Sequence, residues 1–206
     1  KNNILYAEGN VTVSYRGKYL KADSLIYDKL NKSIRAEGNI KLIIGEQRFK
    51  ISKLEYNFLN KKGELLDVKG YIYTDQLIDN LYSNFSDSDI QKIQEFSEIQ
   101  KKEVLYSPGK VENWIFSAKR INIDGETWKS EKALFTNDLL ESKQVKLEIN
   151  SLKAISKNES LRFKSSFNYL ILDEKITVPF WLGERTLTKS SDSFVFKNRW
   201  NFGYDN

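Results

Sequence analysis

The residues best suited to chemistry in this chain are its neighbouring carboxylates, Asp87 with Asp89 and Asp173 with Glu174. Glycoside hydrolysis needs two carboxyl groups aimed at one bond from opposite sides. Residues one or two apart in sequence instead belong to solvated turns, and nothing in their spacing converges on a substrate. Asp87-Ser88-Asp89 has the opening of a calcium loop but lacks the glycine and closing glutamate at the required offsets. Asp23 and Asp28 fall near expected corners, where aspartate commonly bonds its own backbone. The chain has no histidine and no cysteine. Cysteine nucleophiles, histidine general bases and Cys/His zinc sites are therefore excluded. No GxGxxG or P-loop frame is present. The residues predict no catalytic group, no metal site and no cofactor.

Composition narrows the classes further. Thirty-three basic against 28 acidic residues leave a net charge of +5. That excess is mild, and Lys61-Lys62 and Lys101-Lys102 each have acids close by, as on a solvated surface. A nucleic-acid footprint wants a clustered basic stripe, so no nucleic-acid partner is expected; attraction to an anionic lipid head group stays compatible. Forty per cent hydrophobic residues permit a core. No run of about 20 apolar residues exists to form a membrane helix, and nothing resembles a signal peptide. A cysteine-free chain suits an oxidising periplasm as well as a cytosol. The chain begins at Lys1 and stops within an aromatic-rich segment, and is expected to be a piece of a longer protein.

What must position any site is a repeat. At an offset of 29, Ala7-Glu8-Gly9-Asn10-Val11 returns as Ala36-Glu37-Gly38-Asn39-Ile40. Leu20, Lys21, Leu25 and Tyr27 fall on Phe49, Lys50, Leu54 and Tyr56, and Leu30-Asn31-Lys32 falls on Leu59-Asn60-Lys61. Val68 to Ile72 is a fainter third echo. Within each unit the period is 2: Val11, Val13 and Tyr15 alternate with polar residues, as do Ile40, Leu42 and Ile44, the mark of a half-buried strand. Gly9-Asn10 and Gly38-Asn39 are read as chain reversals, because both residue types tolerate positive φ.

A finer pattern recurs at i, i+2, i+5 and i+7. Leu20, Ala22, Leu25 and Tyr27 show it, as do Phe49, Ile51, Leu54 and Tyr56. Phe116, Ala118, Ile121 and Ile123 repeat it, and Leu147, Ile149, Leu152 and Ala154 do so again. Trp128, Ser130, Ala133 and Phe135 follow loosely. The step of three would throw the second pair onto the opposite face of a straight strand; one extra residue at a bulge or bend restores the phase. Each unit therefore reads as two short strands meeting at a corner, and stacked units give two sheets facing each other across an apolar interior.

Three further regions break this pattern. Residues 75–103 carry helical spacings (Leu77 and Leu81; Ile78, Tyr82 and Phe85; Ile90, Ile93 and Phe96) and read as an inserted helical hairpin, a candidate lid or plug at one end of the trough or a partner contact. Ser107-Pro108-Gly109 reads as the turn that restarts the sheet. In the tail, strand is expected up to Pro179, where ladder pairing should fail. Phe194, Phe196, Trp200, Phe202 and Tyr204 then alternate with Val195, Lys197, Arg199 and Asn201, as the first strand of a membrane barrel would. The organisation expected is β repeats over 1–74, a helical insertion over 75–104, renewed sheet over 105–189 and a truncated barrel-like strand region over 190–206.

The inward stripe admits two readings: a closed sandwich core, or a groove for acyl chains. Small Ala22, Ala118 and Ala133 among large residues leave room for a chain or simply interdigitate. Buried CH₂ groups would contribute about 0.8 kcal/mol each to holding a lipid, with Lys21, Arg48 and Lys50 as rim cations for phosphates. The candidate lining is Val11, Val13, Leu20, Ala22, Leu25 and Tyr27 from the first unit. Ile40, Leu42, Phe49, Ile51, Leu54 and Tyr56 come from the second. Phe116, Ala118, Ile121, Ile123, Phe135, Leu147 and Ile149 come from beyond the insertion.

The phrases YAEGNVTV and RAEGNIKL, the first followed by YLKADSLIYD, resemble the OstA-type repeat of the lipopolysaccharide-transport proteins. The likeness is specific over residues 6–73 and weaker over 110–180, where FSAKRINID keeps the outline. In the second copy, RFKISKLEYN, Ile51-Ser52 and Asn57 stand where the family has Ala-Asp and a closing Asp. The resemblance implies an open, twisted β-jellyroll of two facing sheets that hold lipopolysaccharide acyl chains between them. It implies neighbouring jellyrolls joined by edge-strand addition, a periplasmic or outer-membrane location in a Gram-negative-type bacterium, and no enzyme activity. The order of jellyroll then aromatic strand is most like the soluble N-terminal domain of the outer-membrane assembly protein as it enters its barrel. A periplasmic bridge protein and a lipid-free docking sandwich are the alternatives.

Overall fold

The computed structural model describes residues 3–15, 18–82, 113–138, 142–181 and 183–188. They form one open antiparallel sheet of twelve strands and one short helix. The strands are β1 (Ile4–Tyr15), β2 (Lys18–Asp28), β3 (Ser33–Ile44), β4 (Gln47–Asn57), β5 (Lys62–Tyr73) and β6 (Asn113–Asp124). There follow β7 (Thr127–Thr136), β8 (Val145–Lys157), β9 (Ser160–Lys164), β10 (Phe167–Leu172), β11 (Ile176–Trp181) and β12 (Glu184–Thr188). After β5 a 3-10 turn (Thr74–Gln76) leads into α1 (Leu77–Tyr82). β5 pairs directly with β6, so the sheet runs unbroken past the segment between them.

The repeat sets the strand boundaries. β3 and β4 start and stop 29 residues after β1 and β2, and β5 starts and stops 29 residues after β3. The turns repeat as well. Asp28 Oδ1 accepts the N–H groups of Leu30 and Asn31, and Asn57 Oδ1 accepts those of Leu59 and Asn60. An amide carbonyl replaces a carboxylate at the repeat's closing position without loss of this Asx cap. Lys32 and Lys61 then take positive φ at equivalent points.

Gly9-Asn10 and Gly38-Asn39 do have positive φ, but they are not reversals. Each lies inside a continuous strand, where the partner register shifts between Glu8 and Val11 and between Glu37 and Ile40. The same φ tolerance that suits a turn suits a bulge, and here it folds the strand. Asp67 and Ser151 take positive φ midway along β5 and β8, yet β5 and β8 keep register through the bend, with unpaired residues on both partners. The crease is held by short polar side chains. Asn39 Nδ2 donates to Asp23 Oδ2 at 2.8 Å, and Ser52 Oγ donates to Asp67 Oδ2 at 2.8 Å.

The crease divides every long strand into two walls. One wall contains residues 4–8, 24–28, 33–37, 53–57 and 62–66. The other contains 11–15, 18–21, 40–44, 47–51 and 68–73. At the far end the crease breaks the strands outright. β9 and β10 pair with the two halves of β8 in one common register, and β11 and β12 pair with β10 and β9 in another. The twelve strands are thus ten rungs, the last two snapped at the fold line, and the two facing sheets expected from the sequence are the two arms of one sheet. β11 runs through Pro179, which faces Tyr169. The ladder does not fail there, because β11 is the outermost rung of its wall and an edge position tolerates a missing N–H.

Burial alternates along each rung, with Ala22, Ala36, Ile40, Val68 and Ala133 at 0–2 % exposure forming the bottom of a core that draws on both walls. The helical hairpin expected over 75–103 is described only as far as Tyr82; the turn at 107–109 and the aromatic strand from 194 lie outside the described residues.

Candidate functional site

Above the crease the walls diverge and enclose a trough of about 700 Å³, within the range of roughly 300–1,000 Å³ typical of ligand pockets. The rows that line it follow from pairing. Leu20, Leu42, Phe49, Gly70, Phe116, Phe135 and Leu147 are consecutive cross-strand partners on one wall. Tyr56, Gly63, Ile123, Trp128, Ala154 and Phe163 are partners on the other. Two glycines set the width. A Cβ on Gly70 would lie 2.6 Å from Phe49 Cδ1, and one on Gly63 would lie 2.7 Å from Tyr56 Cδ2. Each ring lies across the bare backbone of its partner. Over Gly70 the ring centroids of Phe49 and Phe116 are 6.5 Å apart, edge to face, and Phe116 meets Phe135 at 5.1 Å in a tilted pair. Burial pushes the Tyr56 phenol above its ordinary pKa, as expected in an apolar surround.

The sequence-predicted lining is brought together. Val13, Leu20, Leu42, Phe49, Ile51, Leu54, Tyr56, Phe116, Ile121, Ile123, Phe135, Leu147 and Ile149 all line the trough. Val11, Ala22, Leu25, Tyr27, Ile40 and Ala118 belong to the same apolar core without lining the trough. Val11, Ala22, Ile40 and Ala118 adjoin the crease. Sequence reading missed Leu65, Trp114, Leu161 and Leu187, and the contribution of Leu77 and Leu81 from α1. Leu65 was within reach, since β5 is the third repeat copy. Leu161 and Leu187 sit on short broken rungs with too few positions to show a period.

The rim cations are redistributed. Lys21 and Lys50 are exposed between inward-facing neighbours, so they point away from the trough. Arg48 Nη1 donates to the carbonyls of Gly45 and Gln47, and burial lowers its guanidinium below its ordinary pKa.

Two bridges cross the mouth. The ring of Tyr15, at the free end of one wall, meets that of Phe58, at the free end of the other, at 5.8 Å. Farther along, α1 spans the gap. It leaves the end of β5, where fully buried Gln47 accepts the Tyr73 N–H and donates to its carbonyl. Leu77 and Ile78 then pack with Leu161 and Leu187 of the opposite wall. Asn80 rests on the Gly45 turn, where a Cβ on the glycine would stand 2.2 Å from Asn80 Oδ1.

None of this presents reactive groups. Glu174, in a solvated turn, accepts from Lys146 Nζ at 2.5 Å, which holds its carboxyl below the usual range. Among the described residues no cluster of three or more metal-ligating side chains is present. No described helix is long and apolar enough to cross a membrane.

Fold and site together define a class: a one-layer antiparallel sheet creased along its length into an apolar, partly bridged trough. Over residues 108–206 the chain is similar to a protein family described as a protein of unknown function (DUF3769), a stretch that takes in β6 to β12. No curated protein matches the chain.

Proposed function

We propose that this chain is a lipid-carrying module, which holds the acyl chains of lipopolysaccharide or a related lipid between its two walls and passes them along the outer-membrane assembly route. It acts by binding alone, without a cofactor. The observation that carries this reading is the trough itself: a continuous apolar channel lined from both walls, whose two inner glycines leave aromatic rings to shape it. A closed sandwich would fill that space with its own side chains. The OstA-like repeats support the choice of lipid. The exposed edge strand β1, with Ile4 at 58 % and Tyr6 at 58 % exposure, supports docking of a neighbouring jellyroll by strand addition. The same likeness supports a periplasmic setting, with a barrel following.

Photoreactive residues test this directly. Placed at Phe49, Leu54 or Phe116, they should crosslink to added lipopolysaccharide, whereas one at outward-facing Lys50 should not. Equal labelling at interior and exterior positions removes the proposal.

A further inference from the structure

Outside the trough, one feature of the sheet works against its own stability. Lys21 of β2 faces Lys41 of β3, Lys41 faces Lys50 of β4, and Lys50 faces Lys69 of β5. These four lysines are successive direct partners in one row across four strands, all on the outer surface of one wall. Strands are spaced by about 4.8 Å, so the row extends about 14 Å. Directly opposed like charges destabilise a sheet. None of the four forms an ion pair with a described residue. Asp23 and Asp67, at the crease beside the row, accept hydrogen bonds from Asn39 and Ser52 and form no ion pair with the four lysines.

Much of the rest of the sheet pairs its charges. On the other wall's outer face Arg35 bonds Glu37 and Glu55, Lys53 bonds Glu55 and Arg120 bonds Glu64. Beyond β6, Lys132 bonds Glu148 and Lys146 bonds Glu174. A shorter row, Lys129–Lys153–Lys164 on β7–β9, is relieved at one end where Lys164 bonds Glu184, so the longest row without such relief among the described residues is the one on β2–β5.

We infer that the Lys21–Lys41–Lys50–Lys69 row is a binding surface for an extended acidic polysaccharide. Its shape is a line one residue wide, which matches a linear chain of anionic sugars laid across the strands. Single-stranded nucleic acid wants exposed aromatic platforms; beside this row Tyr19 is buried at 6 % exposure and Tyr71 is half-buried. A bilayer contact wants exposed apolar anchors, and the adjoining Ile43 is buried at 9 %. The row faces away from the trough, so the inference stands independently of what the trough holds.

The test is binding of fluorescent polygalacturonate oligomers, one carboxylate per sugar, to the whole 206-residue chain across a salt series. The native chain should bind, with affinity falling as salt rises. Lys41→Ser/Lys50→Ser should lose about tenfold or more, whereas Lys157→Ser/Lys175→Ser, at exposed lysines outside any such row, should change it less than about twofold. Melting temperature serves as the folding control, and it should hold or rise in the row variant as repulsion is relieved. Equal loss in both variants, no binding by the native chain, or row-dependent binding to phosphatidylglycerol vesicles or oligonucleotides but not to polygalacturonate would each overturn the inference.

Discussion

Asn80 of α1 sits against Gly45 so closely that a methyl group on the glycine would stand 2.2 Å from its Oδ1 and 2.8 Å from its Cβ. The helix that spans the trough is therefore seated on a hairpin turn that only glycine permits. Gly125 gives a matched control: it has nearly the same φ, +60° against +58°, with nothing within 4 Å of a Cβ. Gly125→Ala should cost the backbone term alone, about 1–2 kcal/mol. Gly45→Ala should cost roughly 1 kcal/mol more and lower the melting temperature by a further 2–4 °C or so. Amide exchange should rise over residues 77–82 only in Gly45→Ala. Equal behaviour of the two variants would show that α1 does not bear on the turn.

Gly70 should prove less replaceable still. Its φ is ordinary, but a Cβ there would stand 2.0 Å from the Arg48 carbonyl and 2.6 Å from the Phe49 ring. The first contact is backbone, which cannot rotate away. Gly70→Ala should destabilise the chain by about 2 kcal/mol or more, read by denaturant unfolding, and should displace Phe49 from its partner Phe116.

Asp28 and Asn57 make one acid test. Both cap the same turn one repeat apart, but only Asp28 titrates. Hydrogen bonds from Asn31 and Leu30 hold its carboxyl below the ordinary 3.8. A depressed folded-state value means that the cap's contribution is complete above pH 3.8 and disappears as pH falls through the lower, folded value. Amide protection at Leu30 and Asn31 should drop in that window while Leu59 and Asn60 hold, and Asp28→Asn should abolish the difference. Parallel loss at both turns would refute the cap assignment.

How far these relationships could be read from sequence depends on whether they are local. The inward stripe was legible because period 2 interrupted by a step of three has one economical solution, a creased strand, and Leu20, Ala22, Leu25 and Phe116, Ala118, Ile121 all obey it. Gly9-Asn10 misled because positive φ serves reversals and bulges alike; only the partner register distinguishes them. Pro179 misled because a strand's edge position is a property of the whole sheet. The packing of Leu77 against Leu187 depends on closure between distant segments. The lysine row is invisible along the chain, since Lys21, Lys41, Lys50 and Lys69 align only once three registers are fixed.

From β1 to β8 each strand pairs only with its sequence neighbours, and the snapped rungs at the far end keep that order rung by rung, β10 returning to β8 and β12 to β9. Such a meander has no pairing that spans the whole, and so nothing in it fixes the number of hairpins. Each 29-residue copy adds two strands, about 10 Å of channel. Duplication thus acts as a ruler: the length of the trough is a count of copies, adjustable in sequence without redesigning either end.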